Sequence, residues 1–208
     1  MAATTHAQLA RCLQGLNLYL VGMMGAGKSA VGQPLAEALG YRFIDADTVL
    51  ERVAGRSIPE IFAADGEAAF RELETAVLDQ ISSWHSLVVA TGGGVVTRPQ
   101  NWGHLRQGAV VWLDAPVERL LQRLRQDPGQ RPLLHGDNPE AHLRNLLRER
   151  LPLYAQADLC ISQGQGPPQQ VAEQVLAGLP GILRQRPEPP AAAAQLLDSE
   201  GRISGSLN

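Results

Sequence analysis

The octapeptide Gly22-Met23-Met24-Gly25-Ala26-Gly27-Lys28-Ser29 constrains this chain more than any other feature. It has the spacing G-x-x-x-x-G-K-[ST], in which glycines let backbone N–H groups turn inward around phosphate oxygens. Such a loop works where a strand runs into it and a helix runs out. The flanks comply: Leu16–Val21 is a short apolar run ending in glycine, and Ser29–Leu39 has helical spacing that stops at Gly40. The helix start adds the positive end of its dipole. Lys28 is then placed to reach the β- and γ-phosphates of a nucleotide, and the Ser29 hydroxyl to ligate Mg²⁺. A glycine-rich turn that binds nothing is the plainer alternative, and the strand and helix on either side weigh against it.

Composition singles out the same residue. Of the 18 basic residues one alone is a lysine, Lys28, and 17 are arginine. A bias toward arginine explains the 17 but not the exception. A lysine is a compact point charge on a flexible stem, so it belongs where a guanidinium fork will not substitute.

With 208 residues, 44% of them hydrophobic and 19% charged, the chain reads as one globular domain with a modest appendage. Aromatics make up 4%, so aliphatic side chains and alanine must fill the core. A net charge of −3 argues against a nucleic-acid protein with a strong basic field. Cys12 and Cys160 lie far apart, which indicates neither a disulfide framework nor a zinc site and fits a reducing compartment. The uncharged stretch Cys12–Gly27 holds 16 residues, too few to span a membrane, for which about 20 are needed. Residues 1–16 carry Arg11 and no acid, as a short transit peptide can, but lack a signal-peptide pattern. The expected location is the cytoplasm.

Short apolar runs alternate with amphipathic stretches. Strands are expected at Leu16–Val21, Tyr41–Ile44, Leu87–Ala90, Val110–Leu113 and Leu159–Ile161. Helices are expected at Ser29–Leu39, through Val49, Leu50 and Val53, and at Glu67–Ile81, Val117–Arg125, Glu140–Arg150 and Val171–Leu179. The alternation predicts a three-layer α/β/α fold with a short parallel sheet. Residues 1–16 are expected as an N-terminal extension, 17–183 as a single domain, and the proline-rich 184–208 as a disordered tail. Asp127–Asn138 is rich in turn residues and is expected as a mobile loop.

Asp45 and Asp47, two apart at the end of the second strand, should project to one side, at the edge where open parallel sheets bind ligands. Two like charges so close need a cation or a proton between them. Asp45 is assigned to the magnesium, through water, and Asp47 to an acceptor hydroxyl. The competing expectation makes Asp47 a mere cap for a helix beginning at Thr48. Thr91-Gly92-Gly93-Gly94 ends the next strand and lets a ligand approach the backbone closely. Arg71, Arg131 and Arg150 cannot be separated by spacing from other arginines, for which a solvated face is the ordinary reading. Residue by residue, the chain is a Mg²⁺-dependent phosphotransferase with an unknown acceptor.

Taken together, the motifs resemble the shikimate kinase family over roughly residues 17 to 180. The likeness is carried by the phosphate loop, Asp45-x-Asp47, and Gly55-Arg56-Ser57-Ile58-Pro59-Glu60-Ile61-Phe62. It continues through Asp65-Gly66-Glu67 with Phe70-Arg71, Thr91-Gly92-Gly93-Gly94, Arg131-Pro132-Leu133-Leu134 and Arg150-x-Pro152-Leu153-Tyr154. The resemblance implies a small P-loop kinase fold with a lid loop and ATP-dependent phosphorylation of the 3-hydroxyl of shikimate, a step toward aromatic amino acids. It implies that Asp47 orients or deprotonates that hydroxyl and that Arg71 and Arg150 grip the carboxylate. Gly93 would donate a backbone hydrogen bond, and Arg131, in the lid, would contact the phosphates and act with Lys28 and Asp47 in catalysis. Gly25, Ala26, Gly27, Lys28, Ser29 and Ala30 would bind the nucleotide, and Ser29 and Asp45 one Mg²⁺ per subunit. ATP and shikimate are the expected ligands of a monomer, with no nucleic acid or membrane. Ala30 departs from the family's usual threonine, and Arg125 and Pro167 are the candidates for contacting adenine. A gluconate-type kinase, a nucleotide kinase and a non-catalytic nucleotide-binding paralogue remain as alternatives. The triple glycine with Arg71 and Arg150 favours a small carboxylated alcohol.

Overall fold

A computed structural model of the chain describes residues 5–126, 138–164 and 166–185. Arg131, most of the expected loop at Asp127–Asn138 and the tail from residue 186 lie outside the described residues.

Five strands form one sheet: β1 (Leu18–Val21), β2 (Arg42–Asp45), β3 (Leu87–Ala90), β4 (Ala109–Asp114) and β5 (Leu159–Ser162). Their order is β2-β3-β1-β4-β5, and all pairs are parallel. Alternate residues of β1 face opposite layers. Leu18 and Leu20 enter a core with α1 (His6–Leu13), α2 (Lys28–Leu39) and α8 (Pro168–Gln185). Tyr19 and Val21 enter a second core with α3 (Ala46–Ala54), α4 (Ile58–Ser82) and α5 (Pro99–Leu105), to which Tyr154 from the end of α7 (Pro139–Tyr154) also belongs. Helix α6 (Val117–Gln126) follows β4. The three-layer parallel architecture matches the sequence expectation, and among the described residues no helix is long and apolar enough to cross a membrane.

Three local differences matter. Residues 6–13, given no role by the sequence, form a helix capped by Thr5 and Gln8. Its Leu9 and Leu13 are buried in the first core, each contributing about 2 kcal/mol of burial. The helix expected to begin at Glu67 continues one that starts at Ile58; Gly66, at φ 80° and ψ 175°, breaks the ladder between the two parts. The second strand ends at Asp45, so Asp47 is helical and not the strand partner of Asp45.

Candidate active site

The phosphate loop stands at the carboxyl end of β1, where its backbone conformations demand glycine. Gly25 and Gly27 have φ of 78° and 83°, in the left-handed region. A Cβ on Gly22 would lie 2.7 Å from the Leu113 carbonyl of β4. Lys28 folds back over the loop, its Nζ donating to the carbonyls of Gly22 (2.9 Å) and Met23 (3.2 Å). The first turn of α2 carries no acidic residue, which leaves its positive end to an anion.

Ser29 Oγ donates to Asp45 Oδ2 at 2.5 Å. The other oxygen, Oδ1, accepts the N–H groups of Asp47 (3.1 Å) and Thr48 (3.3 Å). Asp45, not Asp47, is therefore the cap of α3, a helix that begins at Ala46 and not at Thr48. Asp47 sits in the first turn, and both carboxylates line a cavity of about 620 Å³ with Lys28 and Ser29. A hydroxyl and a carboxylate oxygen side by side are hard donors of the kind Mg²⁺ takes, one or two protein ligands sufficing when phosphates supply the rest. Among the described residues no group of three or more His, Cys, Asp or Glu side chains forms a closed metal cage.

The far wall of that cavity carries two buried cations. Arg71 is 7% exposed and Arg150 5%, so neither belongs to a solvated face. Arg71 Nη1 donates to Glu74 Oε2 (2.8 Å), and its Nε and Nη2 to Glu67 Oε1 (3.3 and 3.1 Å). Burial alone would lower the Arg71 value; Glu74 and Glu67 outweigh it and raise it, so the guanidinium stays charged. Arg150 Nη1 donates to the Gly93 carbonyl (3.3 Å), which also accepts from the Tyr154 hydroxyl (2.6 Å). Burial pushes that hydroxyl up to about 12, so it remains a donor at neutral pH, and its ring stacks on Trp112 with centroids 5.9 Å apart.

The triple glycine serves these charged groups first. A Cβ on Gly92 would strike Glu74 and come within 3.0 Å of Asp47 Oδ1; one on Gly94 would strike the Arg71 guanidinium. Gly93 faces the phosphate loop instead, 3.2 Å from the Met24 amide nitrogen by the same measure. The close approach expected of a ligand is thus made, at Gly92 and Gly94, by the protein's own side chains.

Glu74 escaped the sequence reasoning, although its place three residues after Arg71 puts both on one helix face. It is 5% exposed, and its Oε1 has no hydrogen-bond partner. Burial pushes its carboxyl above the ordinary value of 4.5 against the pull of Arg71, Arg150 and Arg98. Folding therefore makes ionisation of Glu74 costlier than in water, with Arg71 offsetting part of that cost. Its share of stability is full below the ordinary value and is lost as pH rises through the raised one. Glu74→Gln stays neutral throughout, so its Tm relative to the parent should climb as pH rises above the ordinary carboxyl value of 4.5. Calorimetry checks this, and a flat or falling difference would mean that Glu74 ionises in the fold at no cost.

Tyr154, four residues after Arg150, also went unassigned, as did Arg123 and Gln163. Arg123 Nη1 donates to the Gly25 carbonyl (3.1 Å) and Gln163 Nε2 to that of Ala26 (2.8 Å). Ala26 is fully buried beneath the loop, while Ala30 is exposed at the cavity rim. Arg125 and Pro167 are both exposed and line neither this cavity nor the neighbouring one bounded by Arg119, Gln122 and Gln163.

A family model described as shikimate kinase matches residues 24–180. The chain belongs to the shikimate kinase family. It is 62% identical over 173 residues to a shikimate kinase of Synechococcus sp. (strain RCC307), covering 83% of this chain and 88% of that one. The structure of a shikimate kinase from Acinetobacter baumannii in complex with shikimate superposes with a TM-score of 0.79 at 44% identity, over 86% of this chain and 99% of the other. A gluconokinase from Sinorhizobium meliloti, at 19% identity and a TM-score of 0.52 over 82% of this chain and 94% of the other, shares the fold alone. In this shikimate kinase family member the loop lysine, the paired aspartates and the buried arginines thus open on one cavity.

Proposed function

We propose that the protein transfers the γ-phosphoryl group of ATP to the 3-hydroxyl of shikimate, acting as a cytoplasmic monomer. The observation that carries this reading is the convergence of two buried guanidinium groups, Arg71 and Arg150, on the cavity that holds the phosphate loop and Asp47. Planar forks suit a carboxylate, and burial makes each charge-assisted bond count for more than it would in water.

In this reading Arg71 and Arg150 grip the substrate carboxylate and Gly93 offers its N–H. The acceptor hydroxyl then points at Asp47, which orients it and takes its proton. Lys28 and the N–H groups around Gly25–Ser29 hold the phosphates for in-line attack. Ser29 and Asp45 would hold Mg²⁺, which when bound neutralises charge on the β- and γ-phosphate oxygens. Arg131 is assigned to the phosphates on the strength of the family motif.

Release of ADP, measured with shikimate, gluconate and nucleoside monophosphates as acceptors, tests the assignment. Turnover with shikimate supports it; turnover with gluconate alone, or ATP binding without turnover, overturns it. Arg150→Lys and Arg71→Lys should each raise the KM for shikimate about 10- to 100-fold, because an ammonium cannot make the bidentate contact. The KM for ATP should move less than about threefold. A loss confined to ATP would reassign the arginine to the nucleotide.

A further inference from the structure

Behind the phosphate loop stand two polar side chains that the motif does not call for. Gln163 follows β5 directly and is 5% exposed. Its backbone N–H donates to the Asp114 carbonyl (2.8 Å), which fixes it to the end of β4. Its side-chain amide is used at both ends. Nε2 donates to the Ala26 carbonyl at 2.8 Å, while Oε1 accepts from Arg123 Nη1 (3.3 Å) and Nη2 (3.4 Å). Arg123 Nη1 in turn donates to the Gly25 carbonyl, so two successive carbonyls of the loop are tied back to side chains from α6 and from the residue just after β5.

A peptide unit is planar and trans, with its C=O and N–H on opposite sides. Drawing the Ala26 carbonyl toward Gln163 therefore turns the N–H of Gly27 away from it. The preceding N–H, that of Ala26, is already spent inside the loop on the Met23 carbonyl (3.0 Å). Gly27 is thus the loop amide whose direction Gln163 governs, and Gly27 lines the large cavity. Gln163 also lines the second cavity, of about 560 Å³, with Arg119 and Gln122.

We infer that Gln163 is a positioning residue for the nucleotide: it holds the Ala26–Gly27 peptide so that the Gly27 N–H meets a phosphate, and it ties the second cavity to the phosphate loop. The inference rests on the reading that ATP occupies this loop. Only an amide of this length fits both contacts. Glutamate would keep the partnership with Arg123 but set a carboxylate against the Ala26 carbonyl, and leucine would lose both bonds at similar volume.

Binding of MgADP by calorimetry and steady-state kinetics with each substrate varied, on the full chain, test the inference. Q163E and Q163L should each weaken MgADP binding and raise the KM for ATP about tenfold, with the KM for shikimate within about twofold of the parent. The glutamate variant, which retains its Arg123 partner, should also keep the parent's Tm within a few degrees, and it carries the test should the leucine variant not fold. Unchanged MgADP affinity in Q163E would overturn the inference and leave Gln163 a strut of the fold. Failure of the parent itself to bind MgADP would instead overturn the nucleotide reading.

Discussion

Asp47→Asn should fold, bind ATP as the parent does, and turn over about 10²- to 10⁴-fold more slowly, the usual loss when a general base is removed. The geometry makes this substitution a clean one. Asp45, and not Asp47, accepts the N–H groups that open α3, so the asparagine leaves the helix cap intact. Losing the first-turn charge also forfeits its interaction with the helix dipole, about 0.3–1 kcal/mol. Asparagine fills the same space beside Gly92 and can still accept a hydrogen bond, but it cannot carry away a proton. Steady-state kinetics, an ATP-binding titration and a melting curve on one preparation check all three parts. Turnover within about threefold of the parent would remove Asp47 from the chemistry.

Modification of Lys28 is expected to abolish activity, by about 10²- to 10³-fold, and MgATP is expected to prevent it. An amine-directed reagent has two targets, Lys28 and the N-terminal amine, because the sequence holds one lysine. The ammonium lies half-buried over the loop, held by the Gly22 and Met23 carbonyls. Bound phosphates would draw it into the cavity and shield it from the reagent, and its acylation removes charge where negative charge is redistributed during transfer. Peptide mass mapping reports which amine reacted and how far. Full labelling at Lys28 with activity retained, or labelling indifferent to MgATP, would sink the phosphate-loop assignment.

How much of this was legible before the fold depended on the range of the interaction. The parallel sheet followed from alternating apolar runs, and the loop from a contiguous motif, since both are written in neighbouring residues. The start of α3 and its cap were misplaced because β2 runs straight into the helix: the strand ends at Asp45 and α3 begins at Ala46, so Asp45 and not Asp47 is the cap. Glu74 and Tyr154 were within reach, at three and four residues from Arg71 and Arg150 on the same helices, but only once those arginines were known to be buried. Nothing in the spacing of 17 arginines says which ones are. Arg123 and Gln163 were out of reach: they meet each other and the loop across 40 residues or more, a contact that exists only after β4 and β5 have paired.

That separation sets an order of assembly. The whole phosphate-binding motif is synthesised by residue 29, yet β1 has no strand beside it until β3 and β4 emerge, beginning at Leu87 and Ala109. The Leu113 carbonyl against which Gly22 packs comes later still, and Gln163 last of all. Local elements form quickly, whereas pairings this distant must first close long stretches of chain. A nascent or truncated chain ending before β4 would therefore display the complete signature and be unable to use it. Possession of the motif and possession of the site are separated by more than half the length of the polypeptide.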